Sequence, residues 1–330
     1  MAAPSIVVTK TPLRVSFAGG GTDLPGFYER EYGAVLSTTI DKFLYVTVKR
    51  HGALFEPIRL NYSETELVER VEEIRNGIAR ECLRSLRIDP PIYISTVADL
   101  PEFSGLGSSS AFAVGLLHAL HAYQGRRVSA GQLAEEAAHI EIDVLKRPIG
   151  KQDHYAAAFG GLNLFCFMPD GSVTVEPQQP ARGGLDRLLE HSLMLWTGIR
   201  RDAGAVLSEQ QQNTSGRLDE LQAMRQHAKQ LQALMRNGFD PLEFGLILDQ
   251  TWQLKRRLAS TISSPRIDAW YDRARAAGAV GGKICGAGGG GFLLLIMPRD
   301  RREAVRAALQ ELTEVRIGYE AQGSRLLFVE

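Results

Sequence analysis

Cysteine is scarce in this chain. Its 330 residues hold three, Cys82, Cys166 and Cys285, far apart and odd in number. Such spacing argues against a disulfide framework and a thiolate metal site, and it fits a reducing, cytoplasmic compartment. An excess of charge of either sign is also lacking, with 38 Lys and Arg against 38 Asp and Glu. No global field therefore draws the chain to nucleic acid or to a membrane surface. Long apolar runs are missing too. Phe292 to Met297 is apolar, but a bilayer span takes about 20 residues. Met1 to Val8 has neither a basic start nor a long apolar core, so no secretory signal is expected. The histidines form no His-Glu-x-x-His pair, and no internal repeat or low-complexity tail is present.

What the chain does have is glycine in clusters. One is Pro101-Glu102-Phe103-Ser104-Gly105-Leu106-Gly107-Ser108-Ser109-Ser110-Ala111. Ile92 to Val97 before it reads as a strand. Phe112, Val114, Leu116, Leu117 and Leu120 after it read as the apolar face of a helix. A glycine-serine loop thus leads from a strand into a helix N-terminus. Gly105 and Gly107, flanking Leu106, allow unusual dihedrals and a close backbone approach to a ligand. The first N–H groups of a helix lack internal partners and the dipole there is positive, so the loop is an anion site suited to phosphate. The hydroxyls of Ser108, Ser109 and Ser110 add donors for phosphate oxygens or ligands for a hydrated Mg2+. The usual P-loop needs a lysine after its last glycine. Here Gly107 precedes Ser108 and no lysine follows until Lys146, so cationic help must come from elsewhere.

With 44% hydrophobic residues the chain can bury a substantial core, and its length is enough for two domains. Ile6 to Val8 and Leu13 to Phe17 read as strands on either side of Thr11-Pro12, and Phe43 to Val48 as another. Ser63 with Glu66 has capping-box spacing and predicts a helix through Leu67, Val71, Ile74 and Ile78. Ser129 with Gln132 predicts a second helix, carrying Leu133, Ala137, Ile140 and Glu141 and ending before Pro148. Gly161–Phe167 and Ser172–Val175 read as a hairpin around Asp170-Gly171. Gln178 to Gly184 reads as a linker, which divides the chain at 1–184 and 185–330. Helices follow over 216–235, 240–259, 267–277 and 301–312, with strands from Leu193, from Phe292 and over Arg325 to Val329. Strands and helices alternate irregularly, which predicts an α+β protein of two domains.

Gly286-x-Gly288-x-x-Gly291 matches the dinucleotide-binding expression, but that fingerprint must open a helix. These glycines run straight into the apolar strand Phe292 to Ile296. The better reading is a glycine wall packed against a phosphate or against the first loop, with Gly288 and Gly289 as candidate substrate residues.

Three glycine stretches now stand in order: Thr11 to Asp23, Pro101 to Ala111, and Lys283 to Phe292. This arrangement resembles the GHMP kinase superfamily over nearly the whole chain, and Pro101-x-x-x-Gly105-Leu106-Gly107-Ser108-Ser109 is the specific part. Thr11-Pro12-Leu13-Arg14-x-x-x-x-Gly19-Gly20-Gly21-Thr22-Asp23 and Gly150-Lys151-Gln152-Asp153 are most similar to bacterial D-glycero-D-manno-heptose 7-phosphate kinases. The resemblance implies an N-terminal ATP-binding domain like ribosomal protein S5 domain 2, a ferredoxin-like C-terminal domain, and an active site in the cleft between them. It implies ATP and Mg2+, with Asp153 as the base for the sugar hydroxyl and Arg14 stabilising the transferred phosphoryl group. Ser109 and Glu141 would hold Mg2+. Asp23 would bind sugar hydroxyls beside Gly20, Gly21 and Thr22.

The expected partner is a small sugar phosphate, with no nucleic acid and no membrane, and homo-oligomerisation is left open. Phosphorylation at the anomeric hydroxyl would give a 1,7-bisphosphate for nucleotide-activated heptose in capsule or surface glycan. Arg200 and Arg201 are the expected clamp for the sugar's own phosphate, with Lys10 and Lys151 as rivals. A kinase of an unphosphorylated sugar, such as galactose or fucose, is the alternative. Galactokinases have Gly-Glu-His-Thr-Asp where this chain has Gly19-Gly20-Gly21-Thr22-Asp23. A non-catalytic relative is disfavoured because Arg14, Asp153, Ser109 and Glu141 occur together.

Overall fold

The computed structural model describes residues 4–52, 54–200 and 203–330. The first seven strands are β1 (Ile6–Ala18), β2 (Gly33–Arg50), β3 (Ile58–Asn61), β4 (Thr65–Val68), β5 (Ile92–Ala98), β6 (Leu162–Phe167) and β7 (Val173–Pro177). Four more follow, β8 (Ser192–Trp196), β9 (Gly281–Ile284), β10 (Phe292–Ile296) and β11 (Thr313–Glu314), and β12 (Arg325–Val329) is last. The helices are α1 (Pro25–Tyr28), α2 (Gly77–Ser85), α3 (Ser108–Tyr123), α4 (Ala130–Ala138), α5 (Gln152–Phe159), α6 (Gly184–Glu190), α7 (Ala203–Asn213), α8 (Leu218–Asn237), α9 (Pro241–Lys255), α10 (Pro265–Ala276) and α11 (Arg302–Ala308).

Two sheets organise the molecule. The larger runs β12-β1-β2-β5-β3-β4, with β6 and β7 added beside β2. The length of β2 explains the branch: Gly33–Thr38 pairs with β6, and Leu44–Arg50 pairs with β5. The smaller sheet runs β11-β8-β10-β9 and is antiparallel throughout. Helix α3 lies against β1 and β2, and its Ala111, Ala113, Val114, Leu116, Leu117 and Leu120 are wholly buried. Helix α9 faces both sheets. Phe244 and Leu248 join the larger core, and Trp252 joins the core under the smaller sheet.

Among the differences from the sequence pattern, three concern the strands and caps named above. Thr11-Pro12 interrupts nothing: β1 is one strand, and the proline sits where the register against β2 shifts, a place that tolerates a missing donor. Ser63 does not cap a helix. Glu66 is buried instead, and its carboxylate accepts from Arg75 N at 2.6 Å, Asn76 N at 3.0 Å and the Tyr62 hydroxyl at 3.0 Å. Residues 58–68 therefore form the β3–β4 hairpin, and the helix starts later, capped by Asn76. The last strand departs from the division at 184/185. Lys10, Thr9, Val8 and Val7 of β1 pair with 325–329, so the chain's end belongs to the larger sheet. The expected cap at Ser129 is present: its hydroxyl accepts from Gln132 N at 3.1 Å.

Candidate active site

A cleft of about 760 Å3 opens between the two sheets. Its walls come from β1, the turn after it, the loop before α3, the turn before α5, the start of α7, the end of α9 and the turn after β9. The three glycine stretches meet here by backbone contact. A Cβ on Gly105 would lie 2.6 Å from the Cys285 carbonyl oxygen, and one on Gly286 would lie 2.5 Å from that of Gly105. A Cβ on Gly291 would lie 2.4 Å from the Ser104 carbonyl oxygen. The third stretch is thus the wall of the first loop, one of the two roles expected for it. Gly105, Gly107, Gly286 and Gly291 all have positive φ, which other residues adopt only with strain.

Arg14 ties the motifs together. Its backbone N–H donates to the Leu106 carbonyl at 3.1 Å, and its Nη1 donates to the Gly105 carbonyl at 2.8 Å. Its Nε and Nη2 donate to the two carboxylate oxygens of Asp153 at 2.7 and 2.6 Å, a bidentate pair. Burial alone would lower the Arg14 pKa, but the adjoining Asp153 charge and hydrogen bonds outweigh it, and the guanidinium stays charged. Asp153 is a first-turn residue of α5.

Asp23 is buried beside them. Its Oδ1 accepts from Gly21 N at 2.8 Å and its Oδ2 from Gln152 N at 3.4 Å. Gly150 is required at its position, because a Cβ there would fall 2.0 Å from Asp23 Oδ2. Burial, with the nearby Asp153 charge, pushes the Asp23 carboxyl above its ordinary range against the pull of those hydrogen bonds. Gly20 and Gly21 line the cleft with Asp23. Thr22 does not. Its hydroxyl donates to the Gly19 carbonyl at 2.7 Å and accepts from Ala34 N at 3.0 Å, so it fixes the turn.

Ser108, Ser109 and Ser110 open α3 on the cleft, while Leu106 is buried behind them. Ser109 Oγ donates to Glu141 Oε2 at 2.5 Å. Arg147 Nη1 donates to both, at 2.7 Å to Ser109 and 2.6 Å to Glu141, and His154 Nε2 lies 3.0 Å from Glu141 Oε1. Burial would raise the Glu141 carboxyl, but the His154, Ser109 and Arg147 contacts hold it below the usual range. Glu141 lies in a π-helical turn, His139–Val144, that continues α4. Such bulges often turn a side chain toward a site. Two adjoining oxygen ligands at the mouth of a phosphate loop suit Mg2+, which takes few protein ligands beside phosphates and waters.

Other expected residues fall outside the cleft. Gly288 and Gly289 pack on Ile262: a Cβ on Gly288 would lie 2.8 Å from its carbonyl oxygen, and Gly289 N donates to that oxygen at 2.7 Å. A substrate role for this pair is therefore not supported; Gly286 and Ala287 face the cleft instead. Arg200 is exposed and is not part of the lining, and Arg201 lies outside the described residues. Lys10 stacks on Phe43, and Lys151 bonds Glu135 and the Gly171 carbonyl.

Among the cleft residues not foreseen are Arg147, Lys255 and Gln210. Lys255 had a readable signal, since it continues the buried face Phe244, Leu248, Thr251 and Trp252 of α9, where an apolar residue is expected. Arg147 carries none, because a surface arginine near a proline is ordinary.

A phosphate loop, a bidentate Arg–Asp pair and a carboxylate–hydroxyl pair in one interdomain cleft define a small-molecule kinase. The comparisons agree. Residues 66–161 match the GHMP kinases N terminal domain, and 227–314 match the GHMP kinases C terminal family. The chain is 30% identical over 318 residues to D-glycero-alpha-D-manno-heptose 7-phosphate kinase of Campylobacter jejuni, covering 92% of this chain and 93% of that protein. It is 27% identical to L-fucokinase/L-fucose-1-P guanylyltransferase of Bacteroides fragilis, covering 91% of this chain and 35% of that protein. Among solved structures it resembles a D-glycero-D-manno-heptose 1-phosphate kinase from Bacteroides thetaiotaomicron, with a TM-score of 0.80, 25% identity and coverage of 98% and 99%. The chain belongs to the GHMP kinases and is an ATP-dependent sugar kinase.

Proposed function

We propose that the acceptor is a heptose 7-phosphate of the D-glycero-D-manno series and that its anomeric hydroxyl is phosphorylated to give the 1,7-bisphosphate. The likeness to the Campylobacter jejuni relative along almost the whole of both chains carries this reading. On it, the product feeds nucleotide-activated heptose for capsule or surface glycan.

The geometry supports a direct transfer. ATP lies with its phosphates on the Gly105–Ser110 loop, where the free amides and dipole of α3 favour anions. The sugar lies on the Asp23 side. Gln152 Oε1 and Gln210 Nε2 are buried there without a partner among the described residues and suit hydroxyl groups. As the anomeric oxygen bonds to the γ-phosphorus, the bond from that phosphorus to the β–γ bridging oxygen breaks and ADP leaves. The hydroxyl proton passes to Asp153, and the Arg14 guanidinium balances charge on the phosphoryl oxygens. Ser109 and Glu141 would hold Mg2+ once Arg147 swings aside, and the ion would neutralise the nucleotide phosphates.

An ATP-consumption panel tests the reading with heptose 7-phosphate, mannose 6-phosphate, galactose and fucose. Heptose 7-phosphate is expected to give the highest kcat/KM. Equal or better turnover of fucose or galactose would overturn it in favour of the neutral-sugar reading, to which the fucokinase likeness points.

A further inference from the structure

The cleft holds several cations among the described residues, and most are matched. Arg14 is paired with Asp153, Arg75 with Glu64, and Arg147 with Glu141. Lys146 is exposed to solvent. Lys255 differs. It is 4% exposed, it lines the cleft at the end of α9, and among the described residues no carboxylate lies within salt-bridge distance of it. Its Nζ bonds the Gly286 carbonyl, and Gly286 is the residue pressed against Gly105 of the phosphate loop. With Gly286 it sits at the seam between the phosphate loop and the third glycine stretch, in the cleft that Arg14 and Asp23 also line.

A buried ammonium held only by a carbonyl is costly, because desolvation is not offset by a counter-charge. Burial, with the Lys283 and Arg14 charges, pushes the Lys255 pKa well down. An anion entering the cleft supplies what the fold leaves out. We propose that the Lys255 ammonium contacts the oxygens of the phosphoryl group in transit from ATP to the sugar, as the contribution of the smaller-sheet side to catalysis. Arg14 approaches the same group from β1, already committed on one edge to Asp153. Two cations from opposite walls bring charge to the phosphoryl only when the cleft is filled. The proposal rests on the assignment of Arg14, Asp153 and the loop above, but not on which sugar is the acceptor.

The test uses the full-length protein with its best acceptor from the panel. In Lys255→Met, kcat is expected to fall about a hundred- to a thousandfold, the usual cost of one lost donor to developing charge. KM values for ATP and sugar should change little. Melting temperature should hold or rise, since an uncompensated buried charge is removed. ADP with magnesium and beryllium fluoride, a mimic of the γ-phosphoryl group, should stabilise the wild type over ADP alone and should lose that increment in the variant. Lys255→Arg should recover part of kcat. Unchanged kcat would overturn the proposal. So would a melting temperature that falls in step with activity, which would make Lys255 a prop for the Gly286 turn. A rise confined to KM for the phosphorylated sugar would also overturn it, by assigning Lys255 to the acceptor's own phosphate. A wild type inactive on every panel sugar, with the beryllium fluoride increment still lost in Lys255→Met, would sink the acceptor reading and leave this one standing.

Discussion

Asp153 is held by two hydrogen bonds from one guanidinium, which fixes the carboxylate plane beside a permanent cation. On the proposed mechanism, that arrangement orients the base and also restrains it. Asp153→Asn keeps the size but cannot take up a proton near neutrality. General-base catalysis contributes roughly a hundred- to ten-thousandfold, so kcat should fall by that order. ATP affinity should be retained, because Asp153 is not part of the phosphate loop. Steady-state kinetics with a nucleotide-binding titration separate the two. Wild-type turnover in the variant would remove Asp153 from the mechanism.

The elements that matter most for the cleft are turns, and they are built of glycine because backbones touch. Gly286 shows this best: its φ is +70°, and a Cβ would meet the Gly105 carbonyl oxygen, carbonyl carbon and Cα, all within 3 Å. No flexible side chain can move aside. Gly286→Ala must open the seam between the phosphate loop and the third glycine stretch, and it also strains the turn by about 1–3 kcal/mol. We expect a lower melting temperature together with a loss of kcat/KM larger than the loss of fold accounts for at the assay temperature. Thermal melts and kinetics on the same preparation check this. A variant with both wild-type stability and wild-type activity would show that the two backbones do not meet in solution.

Across the whole molecule, Lys283 is a polar tie between the two sheets. It lies on β9, is 2% exposed, and donates to the Ser16 and Phe17 carbonyls of β1 at 2.8 and 3.3 Å. Burial, with the Arg14 charge, lowers its pKa to about 8 from 10.5. Below pH 8 the lysine is charged in both folded and unfolded chains, and the folded state bears the burial cost. Between about 8 and 10.5 the unfolded chain keeps a proton that the folded protein has released, so this group makes stability rise with pH. Lys283→Met removes that contribution. Urea unfolding at pH 7 and pH 9.5 should show the wild type gaining relative to the variant at the higher pH, and no relative change would refute the assignment.

The chain's local chemistry was written in its sequence. The strand–loop–helix at Ile92 to Leu120, the cap at Ser129 and the hairpin around Asp170-Gly171 depend on near neighbours and turn residues, and they form where those residues stand. The glycine-serine loop at 105–110 is legible for the same reason, since the anion-binding role proposed for it uses its own backbone and hydroxyls. Asp153, Arg14, Ser109 and Glu141 were identified through family resemblance, but their pairing was not, because it spans 139 residues in one case and 32 in the other. Only tertiary structure could bring Arg147 onto Ser109, return β12 to the edge of β1, and turn Gly288 and Gly289 onto Ile262. Glu66 makes the contrast plain. Its spacing from Ser63 fits a helix cap, yet two backbone N–H groups of a loop nine and ten residues away hold its carboxylate more firmly than a helix end could. Sequence fixes what each segment prefers by itself, while the burial of charges such as Lys255 and Lys283 is decided by which surfaces meet.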